Sequence, residues 1–239
     1  MEMHTGPLLL LVQANVALEH ERTFNAWYYQ HVPTLLEIPG YQWGRRYINI
    51  VGETKYLALY TIEDESYLDS LLGLEANKRH ALANSEFAKF EQLQGLSDVR
   101  INVYRQISGT HLGHSLLQYD LPLSVVMLDC NNPSQEAEFD AWYTHSHVPN
   151  LVRISGYVSG ARFRLIDHPA LTWLKMSPTY LALYEWENLA CVPSLSDPEQ
   201  MHPDAQAELA NWTAYGAPLA DKMSWNVYRP IATHWPLEA

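Results

Sequence analysis

The chain has 239 residues, 47% of them hydrophobic and 18% charged, a balance that belongs to folded proteins and excludes a disordered one. Its 27 Asp and Glu against 15 Lys and Arg leave a formal net charge of -12, which repels phosphate backbones and anionic lipid, so neither nucleic acid nor a membrane is expected as a partner. Cys130 and Cys191 form no CxxC pair and no ligand cluster with histidine. No disulfide framework or metal site is expected, and both read as buried thiols.

The first apolar run, "PLLLLV" from Pro7 to Val12, is short, follows Glu2 rather than lysines and precedes no small-residue cleavage site. It reads as a strand of a cytoplasmic protein. The segment from Phe24, "FNAWYYQHVP", with Leu35 and Leu36 beyond it, has helical spacing. Pro33 cannot donate to the Tyr29 carbonyl, so the helix is expected to kink or restart there, and Gly40 closes it. Two strands follow, around Arg46 to Ile50 and Tyr56 to Ile62, with the turn "VGET" between them. A long helix is expected from Ser66 to Leu93, and the strand "RINVYRQI" from Arg100 completes a βαββαβ order.

The chain then spells these signals again. "PLSVVML" at Pro122 matches "PLLLLVQ" at Pro7, and "FDAWY" at Phe139 matches "FNAWY" at Phe24, both 115 residues apart. "HVP" and the following "GY" (Gly40, Tyr41; Gly156, Tyr157) are 116 apart, so one residue is inserted between Trp142 and His147. "YLALY" (Tyr56, Tyr180) and "NVYR" (Asn102, Asn226) are 124 apart, which places eight more residues between Arg162 and Tyr180. Residues 1–113 and 114–239 therefore read as two halves, joined through "SGTHLGHS". In the second half Pro193, Pro198 and Pro203 forbid a continuous helix, which is expected only from near Pro203 to Gly216. That irregular stretch and the longer loop "LIDHPALTWLKMSP" are positioned to cover one mouth of the fold, or are tolerated insertions.

In "YLALY" neither alternating face is polar, so both sides of the sheet need cover and helices supply only one. The expected fold is α+β: two tandem ferredoxin-like βαββαβ units packed sheet to sheet as an intramolecular α/β barrel around a shared interior. The order of elements, with "W…HVP…GY" after the first strand and "YLALY" in the third, resembles the dimeric α/β barrel superfamily and its EthD-like branch, here as a fused tandem version. The resemblance implies a small cofactor-free enzyme that moves protons on carbonyl or aromatic substrates, with a barrel histidine or tyrosine as acid or base.

His31 and His147 are the leading candidates for that role, since imidazole transfers protons near neutral pH; the alternative is that each caps a helix end beside its proline. Trp27 and His31 stand i and i+4 on one helix face. Trp142 and His147 are five apart, so a π-bulge must absorb the extra residue, or else His145 or Ser146 takes the position of His31. Tyr60 and Tyr184 are candidate phenols on the interior face, or core packing. Arg46 and Arg162 are candidates for holding a carboxylate, phenolate or enolate, or are exposed strand residues. Trp27 and Trp142 line the candidate site, and Asn102 and Asn226 would orient substrate or stitch a strand edge.

His80 falls opposite Asp204 by the offset of 124; some haem-binding relatives use such a histidine as axial ligand, while Lys78 and Arg79 beside it favour a solvated helix face. His4, His111, His114, His202 and His234 fall in termini or loops and have no metal spacing. The expected function is a cofactor-independent acid/base enzyme of lyase, cyclase or isomerase type, acting on a small apolar, aromatic or polyketide-like substrate in the barrel interior. The alternative is a non-catalytic barrel that binds a hydrophobic ligand, and homodimerisation of the fused barrel is open in both.

Overall fold

A computed structural model describes residues 7–113 and 115–234, so His4 and His114 lie outside the described residues. The first half runs β1 (Leu8–Val16), α1 (Glu21–Leu36), β2 (Tyr41–Val51), β3 (Tyr56–Ile62), α2 (Leu68–Leu72), α3 (Ala81–Glu91) and β4 (Leu96–Gly109). The second runs β5 (Leu123–Cys130), α4 (Glu136–Trp142), a π-turn (Tyr143–His147), α5 (Val148–Leu151), β6 (Tyr157–Leu165), β7 (Tyr180–Trp186), α6 (Val192–Ser196), α7 (Pro203–Asn211), a second π-turn (Trp212–Gly216) and β8 (Ala220–His234).

The eight strands form one closed antiparallel barrel in the order β1-β3-β2-β8-β5-β7-β6-β4. Each half contributes its strands in the same order, β4-β1-β3-β2 and β8-β5-β7-β6, and the joins are β2 on β8 and β6 on β4. Closure leaves no strand edge unpaired. Along β1, Leu8 and Leu10 face the helices while Leu9 and Leu11 face the barrel axis.

The barrel interior is a packed core rather than the expected chamber. Leu9, Leu11, Trp43, Val125, Met127 and Phe163 fill it, each at most 4% exposed, joined by Leu112, Leu116 and Leu117 of the linker. Each alternating strand has one apolar face for the axis and another for the helices, so large side chains from both halves meet in the middle. The pairing also corrects the alignment of the first strand. Leu10 lies opposite Tyr60 and Ser124 opposite Tyr184, so these two positions are equivalent and the offset there is 114. A shift of one residue exchanges the two faces of a strand.

Several helix boundaries differ from the sequence reading. Helix α1 runs through Pro33, which sits in its last turn, where one missing donor leaves most of the ladder intact. In the second half the helical run likewise continues through Pro149, with Val148 N donating to Tyr143 O across the change from π to α geometry. The long helix expected from Ser66 is broken at Gly73, and α3 begins afresh after His80. Helix α7 and its π-turn span Pro203 to Gly216 as expected.

The "VGET" turn shows why its glycine is there. Gly52 has φ +111, and a Cβ on it would lie 2.5 Å from Oδ1 of Asn226. The end of the long loop 165–178 meets axis-facing residues, with the Tyr104 hydroxyl donating to Pro178 O (3.0 Å). The loop crosses to the first half, where Ile166 N donates to Val103 O (3.1 Å), Trp173 Nε1 donates to Leu72 O (2.8 Å), and the Trp173 ring meets Phe87 edge-on at 5.7 Å. Both cysteines are half-buried rather than buried. Among the described residues no helix is long and apolar enough to cross a membrane.

Candidate active site

Each half holds a cavity between its helices and the helix-facing side of the barrel wall, not inside the barrel. The first is lined by Tyr28 and His31 of α1, Tyr41 and Tyr60 of the sheet, and Glu86 and Phe87 of α3; its volume is about 60 Å³. The second is lined by the matching Tyr143, His147, Tyr157, Tyr184 and Glu208, with Leu209 in place of Phe87, and its volume is about 350 Å³. A volume of this size suits a small organic ligand.

The inserted residue of the second half is taken up by the π-turn Tyr143–His147. His147 therefore keeps the place that His31 has: its ring stacks on Trp142 (5.1 Å, 20°) as His31 stacks on Trp27 (4.0 Å, 24°). His145 is turned to solvent. Further along, the π-turn Trp212–Gly216 brings Trp212 to 5.4 Å from the His147 ring and 6.2 Å from the Trp142 ring, so the three rings form one cluster. Such turns recur at functional sites because they re-aim side chains without ending a helix.

Each imidazole is bonded to a carboxylate from the other helix. Nδ1 of His31 lies 2.6 Å from Glu86 Oε2, and Nδ1 of His147 lies 2.6 Å from Glu208 Oε1. Burial pushes both carboxyls up, but their bonds outweigh it and hold both below the ordinary range: from His31 and Lys89 at Glu86, and from His147, Asn211 and Asn150 at Glu208. Both are therefore charged acceptors. It follows that Nδ1 of each ring donates its proton to the carboxylate, and Nε2 is left for another partner. Burial pushes His31 below its ordinary value, with Glu86 opposing, so that ring is neutral at pH 7.

The phenols are donors rather than bases. Burial pushes Tyr28 up to about 12 despite Arg46 beside it, and burial raises Tyr60, Tyr143 and Tyr184 as well. Tyr184 and Tyr143 hydroxyls are 3.4 Å apart, whereas the Tyr60 hydroxyl is buried without a partner.

The structure brings together His31 with Tyr60 and His147 with Tyr184, on the helix-facing side rather than the interior side expected for the tyrosines. Trp27 and Trp142 are stacked behind the imidazoles. Arg46 and Arg162 line neither cavity: Arg46 lies over the Tyr28 ring at 4.2 Å and donates to Asn25 Oδ1 (2.9 Å), and Arg162 lies over Tyr143 at 4.5 Å. Asn102 and Asn226 are away from both cavities. Asn102 donates to the Tyr104 hydroxyl (2.7 Å) and Ser177 O (3.0 Å), and Asn226 Oδ1 accepts from Glu53 N (3.0 Å) and Thr54 N (3.1 Å).

His80 is the N-cap of α3, its Nδ1 accepting from Leu82 N, and its true counterpart is His202, which caps α7 through Asp204 N in the same way. Exposed and outside both cavities, it does not fit the role of a haem ligand. Among the described residues, no three His, Cys, Asp or Glu side chains gather as a metal site. The sequence reading did not single out the two glutamates, although a signal existed: His80 and Glu86 recur as His202 and Glu208, 122 residues on, with the carboxylate six residues after the cap each time.

No family model and no curated protein matches the chain by sequence. Solved structures do match in fold. An anthrone oxidase-like protein superposes with a TM-score of 0.66 at 11% identity, covering 98% of this chain and 95% of its own. A Fusobacterium nucleatum protein provisionally described as a monooxygenase gives 0.61 at 9% identity over 98% and 96%. A protein provisionally described as a chlorite dismutase gives 0.56 at 12% over 95% and 96%. The chain shares with these proteins a ferredoxin-like α+β fold.

Proposed function

We propose that the chain is an acid/base enzyme of the EthD-like kind, built from two copies of one unit, that acts on a small, uncharged aromatic substrate in the cavity of its second half. The observation that carries this reading is the 2.6 Å bond from His147 to Glu208 at the wall of the cavity of about 350 Å³. Nε2 of His147 takes a proton from an acidic C–H or O–H of the substrate, and the Glu208 carboxylate stabilises the imidazolium that forms. Neutral Tyr184 and Tyr143 donate to negative charge developing on a substrate oxygen. Return of the proton to another atom completes an isomerisation, an elimination or a ring closure without a cofactor. The anthrone in the name of one structural neighbour is a flat aromatic ketone, a kind of molecule that such a cavity suits. The test is a thermal-shift screen of aromatic metabolites, followed by mass spectrometry of the products with His147→Gln and Glu208→Gln in parallel. Conversion by both variants at the native rate overturns the reading.

One observation favours a second reading. An imidazole with Nδ1–H held by a carboxylate and Nε2 left for another partner is also how metal-bound histidines are prepared, so His147 is the residue that would hold a haem iron here. Such a group would supply redox chemistry. A Soret band that appears on adding haemin to the native chain but not to His147→Ala would select this reading.

A further inference from the structure

The two cavities share their chemistry and differ in what surrounds it. Strand pairing fixes the equivalences: Val12 lies opposite Ile101, and Val126 opposite Trp225. The second half therefore has Ser124 and Trp225 where the first has Leu10 and Ile101. These two residues are bonded to each other, Trp225 Nε1 donating to Ser124 Oγ over 2.9 Å. Ser124 is 3% exposed and gives its own proton to no protein acceptor, so an indole on its lone pair leaves it as a donor toward the cavity. Trp186, 1% exposed and standing where the first half has Ile62, adds a buried Nε1–H that lies beside the Tyr157 hydroxyl without meeting it in full hydrogen-bond geometry. A buried donor short of a full bond is costly unless something meets it.

Charge narrows the choice further. Among the described residues Glu208 is the one Asp, Glu, Lys or Arg that lines the second cavity, so a carboxylate or phosphate would enter beside a carboxylate with no lysine or arginine on the wall. In the first cavity Leu10 and Ile101 stand where the second has Ser124 and Trp225, Leu10 and Phe87 are bulkier than Ser124 and Leu209, and about 60 Å³ is left.

We infer that the second half alone binds ligand, one molecule per chain, and that this ligand is an uncharged aromatic whose oxygen is received by Ser124 and Trp186. The inference rests on the reading of the His147 cavity as the site, but not on any reaction there. The probe is 2-naphthol, titrated into the full chain and followed by ¹⁵N NMR of the imidazole and indole nitrogens. The expected result is saturation at one equivalent, with His147 and the Trp186 indole shifting and His31 unmoved. Ser124→Leu weakens binding about tenfold, Trp186→Phe does so with the ring retained, and 2-naphthoate binds at least about tenfold more weakly. Saturation at two equivalents, a parallel shift of His31, native affinity in Trp186→Phe, or no binding at millimolar concentration overturns it. A chain that binds one 2-naphthol yet converts no substrate overturns the catalytic reading and leaves this one standing.

Discussion

Arg162 ties Thr144, in the π-turn, to Asp140, one helical turn earlier. A single guanidinium nitrogen, Nη1, donates to Thr144 Oγ1 (2.7 Å), to the Asp140 carbonyl (2.9 Å) and to Asp140 Oδ1 (2.5 Å), while the cation lies over the Tyr143 ring. The brace spans the residues where the extra amino acid is absorbed, so it holds His147 in register with Trp142.

Arg162→Met should therefore cost about 2 kcal/mol of stability, the scale of charged hydrogen bonds lost from a buried arginine. Urea denaturation measures it, and the ¹⁵N shifts of His147 report whether the π-turn has relaxed. Arg46→Met, which removes one bond to Asn25 and no brace across a π-turn, should leave the His147 signals in place.

His147→Gln should lower turnover by about 10² to 10⁴-fold, the range of general acid–base catalysis, and His31→Gln by less than about threefold. The comparison needs only initial rates on one substrate. Equal losses would show that both halves work.

Stability should fall as the solution is acidified from neutrality, in two stages. His31 is held below its ordinary 6.5, so below that pH the unfolded chain binds a proton that the folded one refuses, and stability drops. Glu86 and Glu208 are held below 4.5, so their contribution is present above that value and is lost as pH falls through their folded values. Glu185 acts the other way: burial raises it despite bonds from Ser159 and Leu117, so it offsets part of the second stage. Thermal melts across this range test the pattern, and His31→Gln should flatten the portion just below pH 6.5.

Tyr60→Phe removes a buried hydroxyl that has no partner, so stability should be unchanged or higher by about 1 kcal/mol. Tyr184→Phe deletes the contact with the Tyr143 hydroxyl and should not share this gain. Chemical denaturation of the two variants side by side decides it.

The repeat made the barrel readable, because "YLALY" and "NVYR" mark equivalent strands and their two apolar faces demand cover on both sides. The same apolarity hid where the cavity lies: a face that packs into a filled barrel and one that meets a helix look alike in a strand of Leu and Tyr. The first-strand alignment slipped by one residue because both copies are continuous apolar runs, which carry no period to fix them. His31 and His147 stood out beside their prolines. Glu86 and Glu208 did not, since a glutamate in a helix ordinarily faces water, and only packing shows that Glu86 is 2% and Glu208 7% exposed. The helix expected over 66–93 is divided in the structure because α2 stops at Gly73 and α3 starts only after the His80 cap.

The strap formed by residues 165–178 bears on how the molecule can be divided. A fragment ending near residue 113 would carry bare flanks at β2 and β4 and would lose the lid that Trp173 and Leu171 lay on α2 and α3. The other fragment would keep that arm with nothing to clasp. Mixed together, the two pieces should recombine into the intact cylinder in preference to pairing with themselves, because only the mixed product seats the arm.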